Sequence, residues 1–135
     1  MDFTIDSEQK ALVKAVRGLI NATDPDLSGF RRRGGKLIMY HGWADTALTP
    51  LMSVEYYEKA SAKNGASTPD FFRLFMVPGM FHCRGGFGTD SFDAMTSLVE
   101  WVEAGKAPDS IPAAQRAGDR HAGQGPDGEP REKTL

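Results

Sequence analysis

The order of helical and strand-like segments predicts an α/β fold with a parallel sheet. Helical apolar spacing and short continuous apolar runs alternate as helix, strand, helix, strand, helix, which is typical of βαβ units. With 135 residues, 40% of them hydrophobic, the chain fits one domain or part of one. Two strands are too few for a stable doubly wound sheet, which has about 4–6. The chain is therefore predicted to be the last third of an α/β domain, incomplete on its own.

The first helix and the first strand are predicted in the N-terminal part of the chain. Asp6 or Ser7 can cap a helix whose apolar residues follow helical spacing, and the polar segment 21–26 ends it. Residues 36–41 then form a continuous apolar run of strand length. A run of this kind is expected of a parallel strand that is buried on both faces.

The second helix and the second strand follow in the middle of the chain. Thr49 and Pro50 suit an N-cap and a first helical position, and Asn64-Gly65 suits a left-handed helix end. Residues 71–77 are a second apolar run of strand length. This helix and this strand complete one βαβ unit.

A glycine-rich loop, residues 78–86, separates the second strand from the last predicted helix. Asp90 or Ser91 can cap that helix, and Gly105 ends it. Much earlier in the chain, Arg31–Arg33 are expected to lie in a solvated turn before the first strand.

The composition of the chain changes at residue 112. Residues 1–112 hold every aromatic residue and form the predicted part of the α/β domain. Residues 113–135 are rich in glycine, proline and balanced charge. A stretch with so few apolar residues cannot offset its ordering entropy, so this tail is predicted to be disordered.

Charge and hydropathy exclude some partners. With a net charge of −2 and 18 acidic against 16 basic residues, the chain lacks the basic surface of a nucleic-acid-binding protein. No apolar run approaches the roughly 20 residues of a membrane helix, and residues 1–6 do not resemble a signal peptide. Neither nucleic acid nor membrane is an expected partner.

One titratable residue follows each predicted strand. Asp45 comes a few residues after the first strand and His82 a few residues after the second. The carboxyl ends of adjacent parallel strands meet at one edge of a sheet, so Asp45 can accept the proton of one His82 ring nitrogen. His82 is then oriented as a general base. Hydrolases of the α/β type order their residues as Ser, Asp, His, yet no Gly-x-Ser-x-Gly elbow precedes Asp45.

Simpler interpretations of these residues stay open. Asp45 can be a cap or turn residue, and His82 an ordinary loop histidine. His41 suits a strand-end residue better than a second base. Cys83 is the single cysteine and can be a buried thiol, a reactive thiol or half of a bridge to another segment. A metal site built from these four residues is possible in composition, although their spacing matches no zinc motif.

Three segments resemble the tannase and feruloyl esterase family. Residues 34–45, Gly-Gly-Lys-Leu-Ile-Met-Tyr-His-Gly-Trp-Ala-Asp, are similar to the segment that carries the family's catalytic aspartate. Residues 72–86, with Pro-Gly-Met-Phe-His-Cys-Arg-Gly-Gly at their end, resemble its His-Cys segment. Residues 101–108 resemble the helix end that follows, so the resemblance covers about residues 8–112.

The resemblance implies a carboxylic ester hydrolase on an α/β-hydrolase fold, acting on esters of aromatic acids. It implies that Asp45 is the acid and His82 the base of a Ser-His-Asp triad. It also implies that Cys83 bridges to a cysteine before the nucleophilic serine. The serine elbow, the oxyanion hole and the lid with its calcium site would all lie outside this chain, which leaves no cofactor for the chain itself.

Two other interpretations compete with the fragment of a serine esterase. The chain can be a non-catalytic remnant, or one subunit of a split enzyme whose partner supplies the serine. The expected partners are an aromatic ester and the missing N-terminal part or partner chain. The implied disulfide needs an oxidising compartment, so a secreted or periplasmic location is expected.

Overall fold

The computed structural model describes residues 6–116 and 133–134, without the side chains of Leu19 and residues 133–134. Helix α1 spans Ser7–Ile20 and begins with a capping box. The Asp6 side chain accepts a hydrogen bond from the Gln9 amide, and the Gln9 side chain accepts one from the Asp6 amide. This cap agrees with the sequence prediction. The larger apolar side chains of α1 are exposed: Leu12, Val13, Val16 and Ile20.

A parallel strand pair forms the centre of the fold. Strand β1, Leu37–Gly42, pairs with strand β2, Phe72–Val77, and helix α3, Leu51–Asn64, connects them. Leu37 lies opposite Phe72 and Gly42 opposite Val77. The predicted βαβ unit is therefore confirmed. Helix α3 ends at Gly65, whose positive φ of 80° suits a residue without a Cβ.

The hydrophobic core lies between the sheet and helix α3. The buried residues of this cluster are Ala60, Phe71 and Phe72. The Tyr57 and Phe72 rings meet edge to face, with centroids 4.9 Å apart. Partly buried side chains complete the cluster: Leu27, Phe30, Leu37, Met39, Tyr56 and Tyr57. Truncating Phe72 to alanine would cost about 3–5 kcal/mol of stability, as for other buried phenylalanines.

Three helices differ from the sequence prediction. Helix α3 begins at Leu51, with Pro50 and not Thr49 as its N-cap. Helix α2, Ser28–Arg32, occupies part of the predicted solvated turn, because Phe30 packs against the core. Helix α4, Ala94–Ala104, begins after the predicted caps. Its cap is Asp93, which accepts a hydrogen bond from the Thr96 amide at 2.9 Å. Helix α4 ends at Gly105 in the left-handed conformation, as predicted.

A second, small sheet replaces the start of the predicted tail. Strand β3, Ser91–Phe92, pairs antiparallel with strand β4, Pro112–Ala114, and β4 pairs with strand β5, Lys133–Thr134. The prediction of disorder thus does not hold for Ala113 and Ala114, of which Ala113 is buried, or for Lys133–Thr134. Backbone pairing orders them, and composition does not reveal such pairing. Residues 117–132 and 135 of the predicted tail lie outside the described residues. None of the described helices is long and apolar enough to cross a membrane.

Candidate active site

The loops that follow β1 and β2 touch each other through their backbones. The Ala44 amide donates a hydrogen bond to the Met80 carbonyl at 3.0 Å. At Gly42, an added Cβ would collide with the Met80 carbonyl oxygen and would lie 2.6 Å from that of Phe81. Glycine at the end of β1 therefore permits the contact that brings the two loops together.

Asp45 and His82 are joined by a hydrogen bond across these loops. His82 Nδ1 lies 2.7 Å from Asp45 Oδ2, as the sequence predicts. The aspartate side chain is 2% exposed, whereas that of the histidine is 51% exposed. An ionised carboxylate only accepts hydrogen bonds, so Nδ1 carries the proton when the ring is neutral. Nε2, which has no hydrogen-bond partner within the described part of the chain, then presents a free lone pair.

The other carboxylate oxygen of Asp45 closes a turn. Oδ1 accepts hydrogen bonds from the amides of Ala47 at 2.8 Å and Leu48 at 2.9 Å. The Leu48 bond is the largest cause that holds the pKa of Asp45 well below its usual range; burial opposes it, and bonds from His82, Ala47 and His41 add to it. The interpretation of Asp45 as a turn residue and its pairing with His82 are therefore both correct.

His41 also binds Asp45, a contact that the sequence does not predict. It lies in strand β1, as expected, but its Nε2 is 3.0 Å from Asp45 Oδ2. Its Nδ1 is 2.8 Å from the Ser53 hydroxyl on helix α3. Two features of the sequence could have indicated this contact. His41 lies four residues before Asp45, and the alternation of side chains along a strand places His41 on the same face as Met39. Nothing in the sequence singled out Ser53.

Cys83 directly follows His82 and is exposed, so the interpretation as a buried thiol is wrong. Its backbone is in the left-handed region, with φ of 65°. This conformation is uncommon for a residue other than glycine and costs on the order of 1 kcal/mol or more.

The His82 loop is fixed at its base. The Phe81 amide donates to the Gly85 carbonyl at 3.0 Å. The Gly85 amide donates to the buried side chain of Asp90 at 2.8 Å, and the second Asp90 oxygen accepts from the Arg116 amide at 3.1 Å. Asp90 thus links the His82 loop to the chain that follows strand β4.

A cavity of about 310 Å³ lies beside the Asp45–His82 pair. It is lined by apolar and polar side chains, which include Tyr40, Leu48, Met52, Ser53 and Met80. Its size falls in the range of small-molecule sites. A general base with a free nitrogen at the edge of such a cavity can remove a proton from a bound nucleophile.

The side chains of His41, Asp45 and His82 bind one another in this site. Ring N–H groups of His41 and His82 point at the carboxylate of Asp45, so these residues satisfy one another. Among the described residues, no cluster of three or more His, Cys, Asp or Glu side chains could hold a metal. The described side chains of this site therefore do not supply the six to eight oxygen ligands that calcium takes.

Asp45 and His82 follow successive parallel strands and are joined by one hydrogen bond, in the chain order in which α/β-hydrolases carry their acid and base. The family model "Tannase and feruloyl esterase" matches residues 2–132 of this chain. The chain belongs to the tannase and feruloyl esterase family, and its fold is part of an α/β-hydrolase fold.

Individual relatives agree with this assignment. The chain is 56% identical over 93 residues to a mono(2-hydroxyethyl) terephthalate hydrolase of Piscinibacter sakaiensis. The matched region covers 68% of this chain and 15% of the relative. It is 36% identical over 110 residues to feruloyl esterase B of Aspergillus niger, which covers 69% of this chain and 21% of the relative.

Solved structures show the same similarity. A crystal structure of an esterase from Aspergillus oryzae superposes with a TM-score of 0.71 at 29% identity, covering 98% of this chain and 29% of that protein. Tannin acyl hydrolase from Aspergillus niger superposes with a TM-score of 0.66 at 28% identity, covering 82% and 21%. The chain thus spans less than a third of the length of the relatives it matches.

Proposed function

We propose that this chain supplies the acid and the base of a Ser-His-Asp carboxylic ester hydrolase, and that the serine comes from outside residues 1–135. The observation that carries the proposal is the 2.7 Å hydrogen bond from His82 Nδ1 to buried Asp45, with Nε2 of His82 free. No hydroxyl of the described residues bonds to Nε2. Membership of the esterase family supports the same chemistry.

The proposed reaction is acyl transfer through an acyl-enzyme. The serine hydroxyl adds to the ester carbonyl carbon, and its proton passes to His82 Nε2. The tetrahedral intermediate breaks its bond to the alcohol oxygen, which receives that proton. Water then attacks the acyl-serine and gives a proton to His82, which passes it to the serine oxygen as the bond between that oxygen and the acyl carbon breaks and the carboxylic acid leaves. Asp45 stays ionised throughout, as its lowered pKa allows, and stabilises the imidazolium.

The proposed substrates are esters of aromatic acids. The names of the relatives point to this class, since they include a terephthalate monoester hydrolase, feruloyl esterases and a tannin acyl hydrolase. The apolar wall beside His82, with Leu48, Met52 and Met80, is compatible with an aromatic ring.

The remaining components are proposed to lie in another segment, joined to this chain or on a separate chain. We call this chain together with that segment the assembled enzyme. Exposed Cys83 would form a disulfide to a cysteine near the serine, which requires an oxidising compartment and thus a secreted or periplasmic enzyme. Any calcium ion of the family would also bind outside this chain. Thiol labelling of the unfolded, unreduced assembled enzyme should leave Cys83 unmodified, and a labelled Cys83 would remove the disulfide.

The central experiment measures how fast variants of the assembled enzyme hydrolyse ethyl ferulate, methyl gallate and mono(2-hydroxyethyl) terephthalate. His82→Ala should lower kcat/KM by about 10⁶-fold and Asp45→Ala by about 10⁴-fold, as expected for loss of the base and of the acid of a triad. The control is Asp109→Asn, whose exposed carboxylate pairs with Arg73 and lies outside the site. Full activity of the His82 variant would contradict the proposal.

Assays of the chain alone test whether the serine lies inside or outside residues 1–135. The chain should neither hydrolyse these esters at the rate of the assembled enzyme nor react with a serine-directed phosphonate. Phosphonate-sensitive turnover with a labelled serine inside residues 1–135 would show that the nucleophile belongs to this chain. An assembled enzyme without any esterase activity would support the alternative of a non-catalytic remnant.

A further inference from the structure

Asp45 accepts hydrogen bonds from two histidines through the same oxygen. Oδ2 lies 2.7 Å from His82 Nδ1 and 3.0 Å from His41 Nε2. A carboxylate oxygen has two lone-pair directions, so the two rings occupy both. Only His82 is half-exposed, whereas the His41 side chain is 13% exposed and faces Ser53 with its second nitrogen.

The protonation of His41 follows from its partners. Its Nε2 faces an acceptor and therefore carries a proton. In the neutral ring Nδ1 is then an acceptor, so the Ser53 hydroxyl donates to it across 2.8 Å. Ser53, His41 and Asp45 form a directed chain of hydrogen bonds that ends on the carboxylate.

The packing of helix α3 on strand β1 creates this chain. Met39 and His41 share one face of the strand, and Met39 packs against the cluster that contains Tyr57. Ser53 lies one turn before Tyr57 on α3. The hydrogen bond is therefore the polar end of the helix–sheet interface, and its position is fixed by the apolar residues beside it.

We propose that His41, held as the Nε2–H tautomer by Ser53, is a positioning residue that fixes the Asp45 carboxylate for His82. This role rests on the proposed function, since it serves the base of that reaction. Amides of Ala47 and Leu48 hold one oxygen of the carboxylate. His41 holds the other, so the carboxylate cannot rotate away from His82 without losing a bond inside a buried site.

The kinetic test uses two amides that imitate different halves of the histidine ring. His41→Gln places an N–H near the position of Nε2 and keeps a donor to Asp45. His41→Asn places its polar group near Nδ1 and reaches only toward Ser53. In the assembled enzyme, His41→Asn and His41→Leu should lower kcat by about 10–100-fold with little change in KM, as expected for a misplaced catalytic group. His41→Gln should restore most of the loss.

Ser53→Ala should also lower kcat, whereas Ser61→Ala on the same helix should not. Nitrogen-15 spectra of the histidine rings provide a readout that a merely structural role would not move. Wild type should show His41 as Nε2–H and His82 as Nδ1–H, and His41→Leu should shift His82 toward a mixture of tautomers. The melting temperature of each variant shows whether a lower kcat or a tautomer shift results from unfolding.

The outcomes distinguish this proposal from the proposed function. Wild-type kcat in His41→Asn, or an unchanged His82 tautomer in His41→Leu, would overturn the role of His41. A phosphonate label on Ser53 would do the same, because Ser53 would then be a nucleophile. Full activity of His82→Ala would instead overturn the proposed function, whatever the His41 variants show.

Discussion

At the scale of single residues, Asp45 concentrates the polar contacts of the site. Its buried carboxylate accepts hydrogen bonds from two amides and two imidazoles. All four contacts favour the ionised form, which explains why the pKa of Asp45 falls despite its burial. The same contacts stabilise the fold, since they are absent from the unfolded chain.

This lowered pKa predicts a pH dependence of stability. The unfolded pKa of an aspartate is about 3.9, and the folded pKa of Asp45 is lower. The contribution of the Asp45 carboxylate to the free energy of unfolding is thus complete above about pH 4 and is lost as the pH falls through the folded pKa. Between about pH 4 and pH 2, urea unfolding of the assembled enzyme should show a steeper loss of free energy in wild type than in Asp45→Asn. Equal slopes would contradict the role of the carboxylate.

The sequence predicted one of the two histidine contacts. Asp45 and His82 follow successive strands, and topology alone brings such residues together. The bond from His41 to Ser53 depends on how helix α3 lies on the sheet, and the sequence predicts the helix but not its rotation. The left-handed backbone conformation of Cys83 is likewise not predicted, because no local pattern indicates it for a non-glycine residue.

At the scale of elements, the contact between the two loops depends on Gly42. Gly42→Ala should destabilise the assembled enzyme by about 1–3 kcal/mol, typical of an added group in a packed region, and should lower kcat by separating Asp45 from His82. Gly18→Ala is the matched control, because a Cβ there meets nothing within 4 Å. In helix α1 this change should be neutral or stabilising by up to about 1 kcal/mol. Chemical denaturation measures both, and equal effects would contradict the clash.

Asp90 predicts a coupling between the His82 loop and the segment after strand β4. Asp90→Ala should destabilise the assembled enzyme by about 1–3 kcal/mol, because two amides lose a charged acceptor. Amide hydrogen exchange should accelerate at Gly85 and Arg116 together, while the exposed-site control Asp109→Asn leaves both unchanged. Faster exchange at only one of the two amides would show that the loop and the segment are not coupled.

The elements were predictable where local signals suffice. The capping box of α1, the two apolar strands and the glycine after α4 each depend on neighbouring residues. The start of α4 was not, since the predicted caps Asp90 and Ser91 precede the observed cap Asp93 by two or three residues. Ser91–Phe92 pair with strand β4 instead of starting the helix, and that contact is remote in sequence.

At the scale of the whole molecule, large apolar side chains remain exposed on several elements. They include Leu12 and Ile20 on α1, Leu51 and Met52 on α3, and Met95 and Val102 on α4. A parallel sheet is usually covered on both faces, and the described part of the chain contributes only two strands to this one. These faces are consistent with a chain that spans less than a third of its relatives.

The chain alone should therefore behave as an incomplete fold. It should bind the dye ANS and elute from size exclusion larger than 14.7 kDa, because exposed apolar faces and open strand edges promote association. The assembled enzyme should bind much less dye per chain. A monomer that unfolds cooperatively and binds no dye would contradict the incomplete fold.

The register of the parallel pair determines when the site can form during folding. Each residue of β1 pairs with the residue 35 positions later, from Leu37 with Phe72 to Gly42 with Val77. No local contact can place Asp45 beside His82, so the intervening chain must close as a loop before the carboxylate gains its second imidazole. Contacts of this sequence separation slow folding. The acid–base pair is thus expected to appear together with the sheet, late and in one step, so stopped-flow refolding should show no phase in which the site precedes the strands.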